Sequence, residues 1–390
     1  MADKNMSGVR VLDFSTMIAG PYCTRLLTDC GTEVIKLEPL GGDDMRKGQP
    51  SREGNSTVFG HLNCGKKSIA VDLKSPEGAA LVRELVAECD VVVENFRPGV
   101  MDRLGLGYES LSAENPALIY CAISGYGQEG PRASQPAYAP IVHAASGYDM
   151  TNFHYQGDAG KPAQTGTFIG DVLVAVYAFG AVQTALLNRE RTGKGTLVDV
   201  ALMDSMISLL IYECQKAQIP VASERRLYGP SVTRDGYVNV AAITQRNFEN
   251  LAAATGHSEW LQDDRFATIT ARSRFWQELA VEVEGWTSRH TCAECEEILG
   301  KAGVPCSRYL EVEDVIEDPQ IKSRGVFAEA VDAAGSFLVP NAPFKFSDGS
   351  VHLSPKVPQL GEDAGYVFGT LLGRDEAALG RLADAGIIVR

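Results

Sequence analysis

Apolar and polar positions alternate along this chain in blocks. Residues 9–14 (VRVLDF) and 33–37 (EVIKL) are short, nearly unbroken apolar runs, and residues 22–29 between them follow an Ala19-Gly20-Pro21 tripeptide that places proline near a helix start. This spacing predicts strand, helix and strand within about 30 residues. The alternation then returns. Residues 68–73 (SIAVDL) predict a strand, 76–88 a helix opened by Pro76, 91–94 (VVVE) a strand, and 118–123 (LIYCAI) another strand after the Asn115-Pro116 break. Such an order predicts an α/β fold with a mainly parallel, doubly wound sheet that binds ligands at the carboxyl ends of its strands.

Further along, residues 172–189 are apolar on nearly every face, the pattern of a helix buried between layers or subunits. Gly193 and Gly195 stop it, 197–203 starts the next element, and 206–218 predicts a helix. Around 220–230 the pattern changes. Residues 237–242 (YVNVAA) read as a strand after an Asp235-Gly236 turn, and 248–255, 273–287 and 292–302 as amphipathic helices. These predict a second, smaller α+β domain. No run of about 18 apolar residues stands out, so no membrane span is expected.

Composition narrows the classes. A 390-residue chain that is 45% hydrophobic and 22% charged is expected to form about two globular domains. Its net charge of −14 argues against a nucleic-acid partner but leaves room for an anionic small ligand in a local basic pocket. The N-terminal residues carry charges and no signal-like apolar run, and the nine cysteines are dispersed, so a reduced, cytoplasmic protein is expected. Cys292 and Cys295 form a CxxC without a second pair or a histidine cluster, and they sit in a helical pattern; no metal site is expected.

Three loops carry candidate chemistry. One runs from Asn63 to Ser68 with Lys66 and Lys67; one is Glu94-Asn95-Phe96-Arg97-Pro98-Gly99, with Arg103 a turn further on. Lysines and arginines on such loops suit phosphate contacts, although a loop charge is more often simply solvated. The third loop, residues 124–131, holds a literal GxGxxG. It is followed by Pro131 and RASQPAYAP rather than by a helix start, so it does not predict a nicotinamide or flavin nucleotide site. Asp171 stands apart, between Gly166-Thr167-Phe168-Ile169-Gly170 and the long apolar segment. On these residues alone it reads as a helix cap or as a carboxylate nucleophile, the cap being the commoner case.

The segments LDFSTMIAGP, VIKLEP, LNCGKKSIAVDLK, VENFRPGVMDRLGLGYE, SGYGQEGP, Gly170-Asp171, RTGKGTLVDVALMDS, GVPCS, PFKFS and LGE, in this order over about the whole chain, resemble the class III CoA-transferases. That family includes formyl-CoA, carnitine and bile-acid CoA-transferases. The resemblance implies a homodimer of interlocked ring-shaped subunits. Each has a Rossmann-like large domain from residues 1–212 and 325–390, with a small α+β domain and linkers at 213–324 between them. It also implies that CoA is the co-substrate, that an acyl-CoA and a free carboxylic acid are the partners, and that no metal, nicotinamide or flavin is needed. Asp171 falls where the family carries its catalytic aspartate. Ile18, Ala19, Asn63, Lys66, Lys67, Asn95, Phe96, Arg97, Arg103 and Tyr138 are implied along the CoA site, with Gly170 and the 125–130 loop as candidate oxyanion donors.

The departures bear on function. Tyr138 is kept, but Ala139 and His143 stand where many transferases have Asp and Gln. Racemases of the superfamily carry His at the Tyr138 position beside an Asp that is missing here, so a two-base proton shuttle lacks one base. An isolated His143 on an apolar stretch is more often packed or hydrogen-bonded than catalytic. The glycine-rich loop of the formyl enzyme has no counterpart; residues 227–236 read LYGPSVTRDG. The expected activity is CoA transfer, with a dicarboxylate such as succinate as donor acid. An acyl-CoA racemase or isomerase, or a CoA-binding protein without turnover, are the alternatives.

Overall fold

The computed structural model describes residues 5–157, 160–162, 164–221, 225 and 227–390. Part of the 220–230 junction therefore lies outside the described residues. The chain divides into two compact units, Met1–Ile211 with Gln320–Arg390, and Tyr212–Pro319.

The larger unit is built on one sheet. In chain order its main elements are β1 (Arg10–Asp13), α1 (Ala19–Asp29), β2 (Glu33–Glu38), α2 (Thr57–Asn63), β3 (Lys67–Val71), α3 (Pro76–Ala87), β4 (Val91–Glu94), β5 (Ile119–Ser124), α4 (Ala139–Ala145), α5 (Ile169–Thr192), β6 (Thr196–Ala201), α6 (Leu202–Ser208), α7 (Glu376–Asp384) and β7 (Ile388–Val389). The strand order is β7-β3-β2-β1-β4-β5-β6. All neighbours are parallel except β7, which runs antiparallel to β3. The order reverses at β1, with β2 on one side and β4 on the other, and a crevice lies at the carboxyl ends of these strands, at this switch point.

Successive strand residues point to opposite faces. Val92 joins the layer made with Leu81 and Leu85 of α3 and Leu379 of α7. Val91 and Val93 join the layer made with Leu27 of α1 and Val174, Ala178 and Val182 of α5. Both faces are covered, which is why these strands read as unbroken apolar runs. Helix α3 starts where the Ser75 hydroxyl accepts the Gly78 N–H and Pro76 occupies the first turn.

Two helical expectations change. Helix α5 is, by length and composition alone, apolar enough to cross a membrane, at odds with the expectation of no such run; nothing between Asp171 and Arg189 is charged. One side of it packs on α1 and the sheet, and Val172, Val176, Tyr177 and Leu187 are exposed. The helix expected over 206–218 breaks at 209–210, where the amides bond three residues back, and resumes at Ile211–Lys216. Helix α6 starts directly after β6 because the Met203 N–H is held by the Gly125 carbonyl.

In the smaller unit, Tyr237–Val240 is the middle strand of an antiparallel sheet between Pro230–Val232 and Cys306–Arg308. Helices Gln245–Thr255 and Cys292–Lys301 each open with a capping box, Thr244 with Asn247 and Thr291 with Glu294. Cys292 and Cys295 are buried in this unit's core with Val238, Phe248 and Trp286, so the CxxC packs its helix.

Beneath the crevice lies a chain of buried charges. The Lys66 ammonium is 3.0 Å from an Asp13 carboxylate oxygen and donates to the Asn63 side-chain oxygen (2.8 Å) and the Pro21 carbonyl (3.0 Å). Asp13 also accepts from the Thr24 hydroxyl (2.6 Å), the Ser15 amide (2.9 Å) and the Ser15 hydroxyl. Lys36 donates to the Ser15 carbonyl and to Asp43, each at 2.9 Å. The side chains of Asp13, Lys66 and Lys36 are fully buried. Removing one partner of such a pair strands the other charge. Lys66→Met is therefore expected to lower the unfolding free energy by about 3 kcal/mol, read from urea denaturation at pH 7.

Candidate functional site

The crevice deepens into a cavity of about 240 Å³. Thr16, Met17 and Ala19 come to it from the loop after β1, Asn95, Phe96 and Arg97 from the loop after β4, Ser124 and Gly125 from the end of β5, and Tyr138, Asp171 and Leu202 from the helices beyond. A space this small admits the reacting end of a ligand, the rest of which would lie outside it.

The loop after β1 is held from two directions. Asn95 clamps Thr16, its side-chain oxygen accepting the Thr16 N–H (2.8 Å) and its amide donating to the Thr16 carbonyl (2.7 Å). Ser15 is tied to Asp13 below. Between these anchors and α1, Met17 takes φ +65°, a left-handed conformation uncommon for a residue with a side chain and typical of functional sites. A Cβ on Gly20 would meet the Ser15 side chain at 2.1 Å, which accounts for the glycine of the AGP tripeptide. Ile18 precedes α1 without a side-chain cap, and the first turn of α1 holds no acid. The leading N–H groups of α1, with the positive end of its dipole, are left to whatever enters beside Ala19.

Asp171 is the third residue of α5. Among the described residues no group donates a hydrogen bond to its carboxylate, and the first turn of α5 has no side-chain cap from Phe168. The cap reading of Asp171 therefore lacks the bond that defines it. Burial in these apolar surroundings pushes its carboxyl up to about 6. The Gly170 N–H, expected as an oxyanion donor, is already bonded to Nε2 of His143 at 3.1 Å. In the 125–130 loop the Gly127 N–H goes to the Ser124 hydroxyl and the Gln128 N–H to Asp199, each at 2.9 Å. That loop opens no helix; the next begins at Ala139. A Cβ on Gly125 would lie 2.4 Å from that of Ala137, so glycine is needed where the loop passes.

Ala19, Asn95, Phe96, Arg97, Tyr138 and Asp171 are thus brought to one cavity. The others are not. Asn63 and Lys66 are buried in the charge chain described above, where burial pushes the Lys66 ammonium down to about 8 against the pull of Asp13. Lys67 turns to Glu33 (3.3 Å) and the Tyr366 ring, towards the amino end of β2. Ile18 is buried, and Arg103, exposed in the Val100–Arg103 turn, does not line the cavity. Asn95 reaches the cavity with both ends of its amide committed to Thr16. Arg97, among the described residues, has no carboxylate within ion-pair distance. Sequence reasoning missed Thr16, Met17 and Gln135 in the lining. It also missed the role of Glu94, which accepts the Phe96 N–H at 2.7 Å and whose carboxyl burial pushes up to about 8.

Residues 6–364 match the sequence profile described as CoA-transferase family III. Succinyl-CoA:glutarate CoA-transferase of Mus musculus is 32% identical over 398 residues, spanning 99% of this chain and 90% of that protein. Succinate–glutarate CoA-transferase of Agrobacterium fabrum is 34% identical over 389 residues, spanning 94% of this chain and 95% of that protein. A solved structure of a CAIB/BAIF family protein from Brucella suis superposes with a TM-score of 0.82 at 34% identity, covering 95% of this chain and 100% of that one. Since likeness in sequence and in fold extends along nearly the whole chain, it belongs to CoA-transferase family III and is a CoA-transferase.

Proposed function

We propose that the enzyme moves CoA from succinyl-CoA, or another dicarboxylyl-CoA, to a free carboxylic acid, with Asp171 as covalent relay. The observation that carries this reading is a carboxylate in the wall of a cavity at the carboxyl ends of the strands, its carboxyl raised by burial and, among the described residues, without a hydrogen-bond partner. An Asp171 oxygen attacks the thioester carbonyl carbon; the C–S bond breaks and the CoA thiolate leaves, giving a mixed acyl-aspartyl anhydride. The thiolate then attacks the aspartyl carbonyl, releasing the donor acid as carboxylate and leaving an aspartyl-CoA thioester. The acceptor carboxylate attacks that thioester and expels the thiolate, which returns to the acceptor's carbonyl and frees Asp171. No proton is gained or lost over the cycle. The N–H groups at the start of α1, beside Ala19, suit the oxyanion of each tetrahedral step.

CoA is a co-substrate in this scheme, and its chain would run out of the cavity past the loop carrying Phe96 and Arg97. Arg97, free of an acidic partner among the described residues, suits an anion there, a phosphate of CoA or the distal carboxylate of a diacid. The mouse and Agrobacterium relatives, named for succinyl or succinate and glutarate, support a dicarboxylate pair. Apolar side chains left exposed along α5, Val172, Val176, Tyr177 and Leu187, support a homodimer that covers them, in keeping with the interlocked ring implied by the resemblance.

Intact-protein mass spectrometry after incubation with succinyl-CoA, with hydroxylamine or borohydride trapping, is expected to show an adduct on Asp171 in the wild type and none in Asp171→Ala. An unmodified wild type that exchanges acyl α-protons would instead indicate an isomerase. Light scattering on the eluted protein is expected to give twice the chain mass; a monomer would reject the dimer.

A carboxyl raised in the folded state destabilises it once ionised, so stability is lost as pH rises from about 4, the unfolded value, to about 6. Asp171→Asn is therefore expected to abolish turnover yet gain about 1–2 kcal/mol at pH 8, with the gain gone near pH 4, measured by calorimetry at both values. The wild-type kcat/KM should fall as pH drops below about 6, as the nucleophile takes up its proton.

A further inference from the structure

His143, on α4, is only 2% exposed and does not line the cavity. Its Nε2 accepts the Gly170 N–H at 3.1 Å, and its ring packs 5.7 Å from that of Tyr148. A ring nitrogen accepts only when it carries no proton, so this imidazole is neutral with its hydrogen on Nδ1. Around it, the Ile169 amide bonds to the Thr167 carbonyl and the Val172 amide to the Phe168 carbonyl. Among the described residues, His143 thus supplies the side-chain acceptor for the first turn of α5. The fit is close: a Cβ at position 170 would lie 3.0 Å from Nε2 and 3.3 Å from Cδ2. Glycine and imidazole occupy this place together.

Asp171 follows Gly170 and, among the described residues, has no hydrogen bond of its own to fix its carboxylate. Its direction is set by the backbone that carries it. We infer that His143 is a positioning residue, whose neutral imidazole holds the Gly170 N–H and so aims the Asp171 carboxylate into the cavity. The inference rests on the reading of Asp171 as nucleophile. It explains how a histidine stands where the resemblance leads one to expect glutamine: both present an acceptor on a side chain of similar reach, and neither needs to transfer a proton. A leucine at this place fills the space but leaves a buried N–H unpaired.

The test compares His143→Gln and His143→Leu with wild type, using succinyl-CoA and glutarate. His143→Leu is expected to lose about 100-fold in kcat, as a nucleophile displaced by about 1 Å would, with KM for succinyl-CoA within about threefold and a native circular dichroism spectrum. His143→Gln is expected to stay within about fivefold of wild type in kcat, its amide oxygen restoring the acceptor. Full activity in His143→Leu, or equal losses in both variants, overturns the inference. A wild type inert towards every acyl-CoA would count against the transfer reading, and the imidazole is then judged apart from turnover. In protein labelled with ¹⁵N-histidine, and with His143→Leu to assign the signal, the His143 ring is expected to carry its proton on Nδ1. A proton on Nε2 overturns the inference.

Discussion

A carboxylate sealed beneath the sheet's switch point organises the larger unit. Asp13 ends β1 with no access to solvent, and its negative charge is tolerable there only because Lys66, Thr24 and Ser15 converge on it while Lys36 lies close by. Each partner belongs to a different piece of chain: Lys66 to the turn after α2, Thr24 to α1, Lys36 to β2. Satisfying one buried charge therefore fixes how these pieces meet. It also fixes Ser15, and with it the turn through Thr16 and Met17 from which α1 departs. Thr16 and Met17 of that turn line the cavity.

Two helix starts meet above that network, and they are finished differently. Helix α1 begins beside Ala19 with no side-chain cap and no acid in its first turn. Helix α5 begins with its Gly170 amide taken by an imidazole, leaving the carboxylate one residue later without a donor. The same local problem, unpaired N–H groups in a first turn, is thus met by a side chain at one helix and left open at the other. Among the described residues the half-buried Asp171 carboxylate gains no donor in return for its partial loss of water, so it adds little to stability, a cost of the kind common at reactive centres.

The strands were legible because parallel strands covered on both faces must be apolar at every position, and VVVE or LIYCAI leaves little else to read. The GxGxxG could be dismissed from its neighbours alone, since Pro131 follows where a helix must start. The nucleophile reading of Asp171 was favoured only through the resemblance; by propensity, a lone Asp before an apolar run reads as a cap. Lys66 and Asn63 were misplaced for a physical reason: nothing in a loop reading GKKS tells that a carboxylate 53 residues earlier will bury and neutralise one of its lysines. Lys67 depends on strand register, which points it towards Glu33, and Asn95 on a clamp across 79 residues of sequence. The left-handed turn at Met17 leaves no trace in composition. Long-range pairing is what the sequence kept hidden.

The larger unit is discontinuous, and this shapes how it can be made. Its contacts reach far across the chain: the Ser68 amide to Asp363 at 2.8 Å, Arg46 to the Pro358 carbonyl at 3.1 Å, β7 to β3. The intervening Tyr212–Pro319 has a core of its own, and its three-stranded sheet is closed within it. If that segment orders first, the chain that must be closed is shortened by about a hundred residues, and the entropy of joining the two halves falls accordingly. Seen as a polymer, the smaller unit is a tuck in the thread. Weakening its core would then slow the closure of the larger unit, whose two segments it separates.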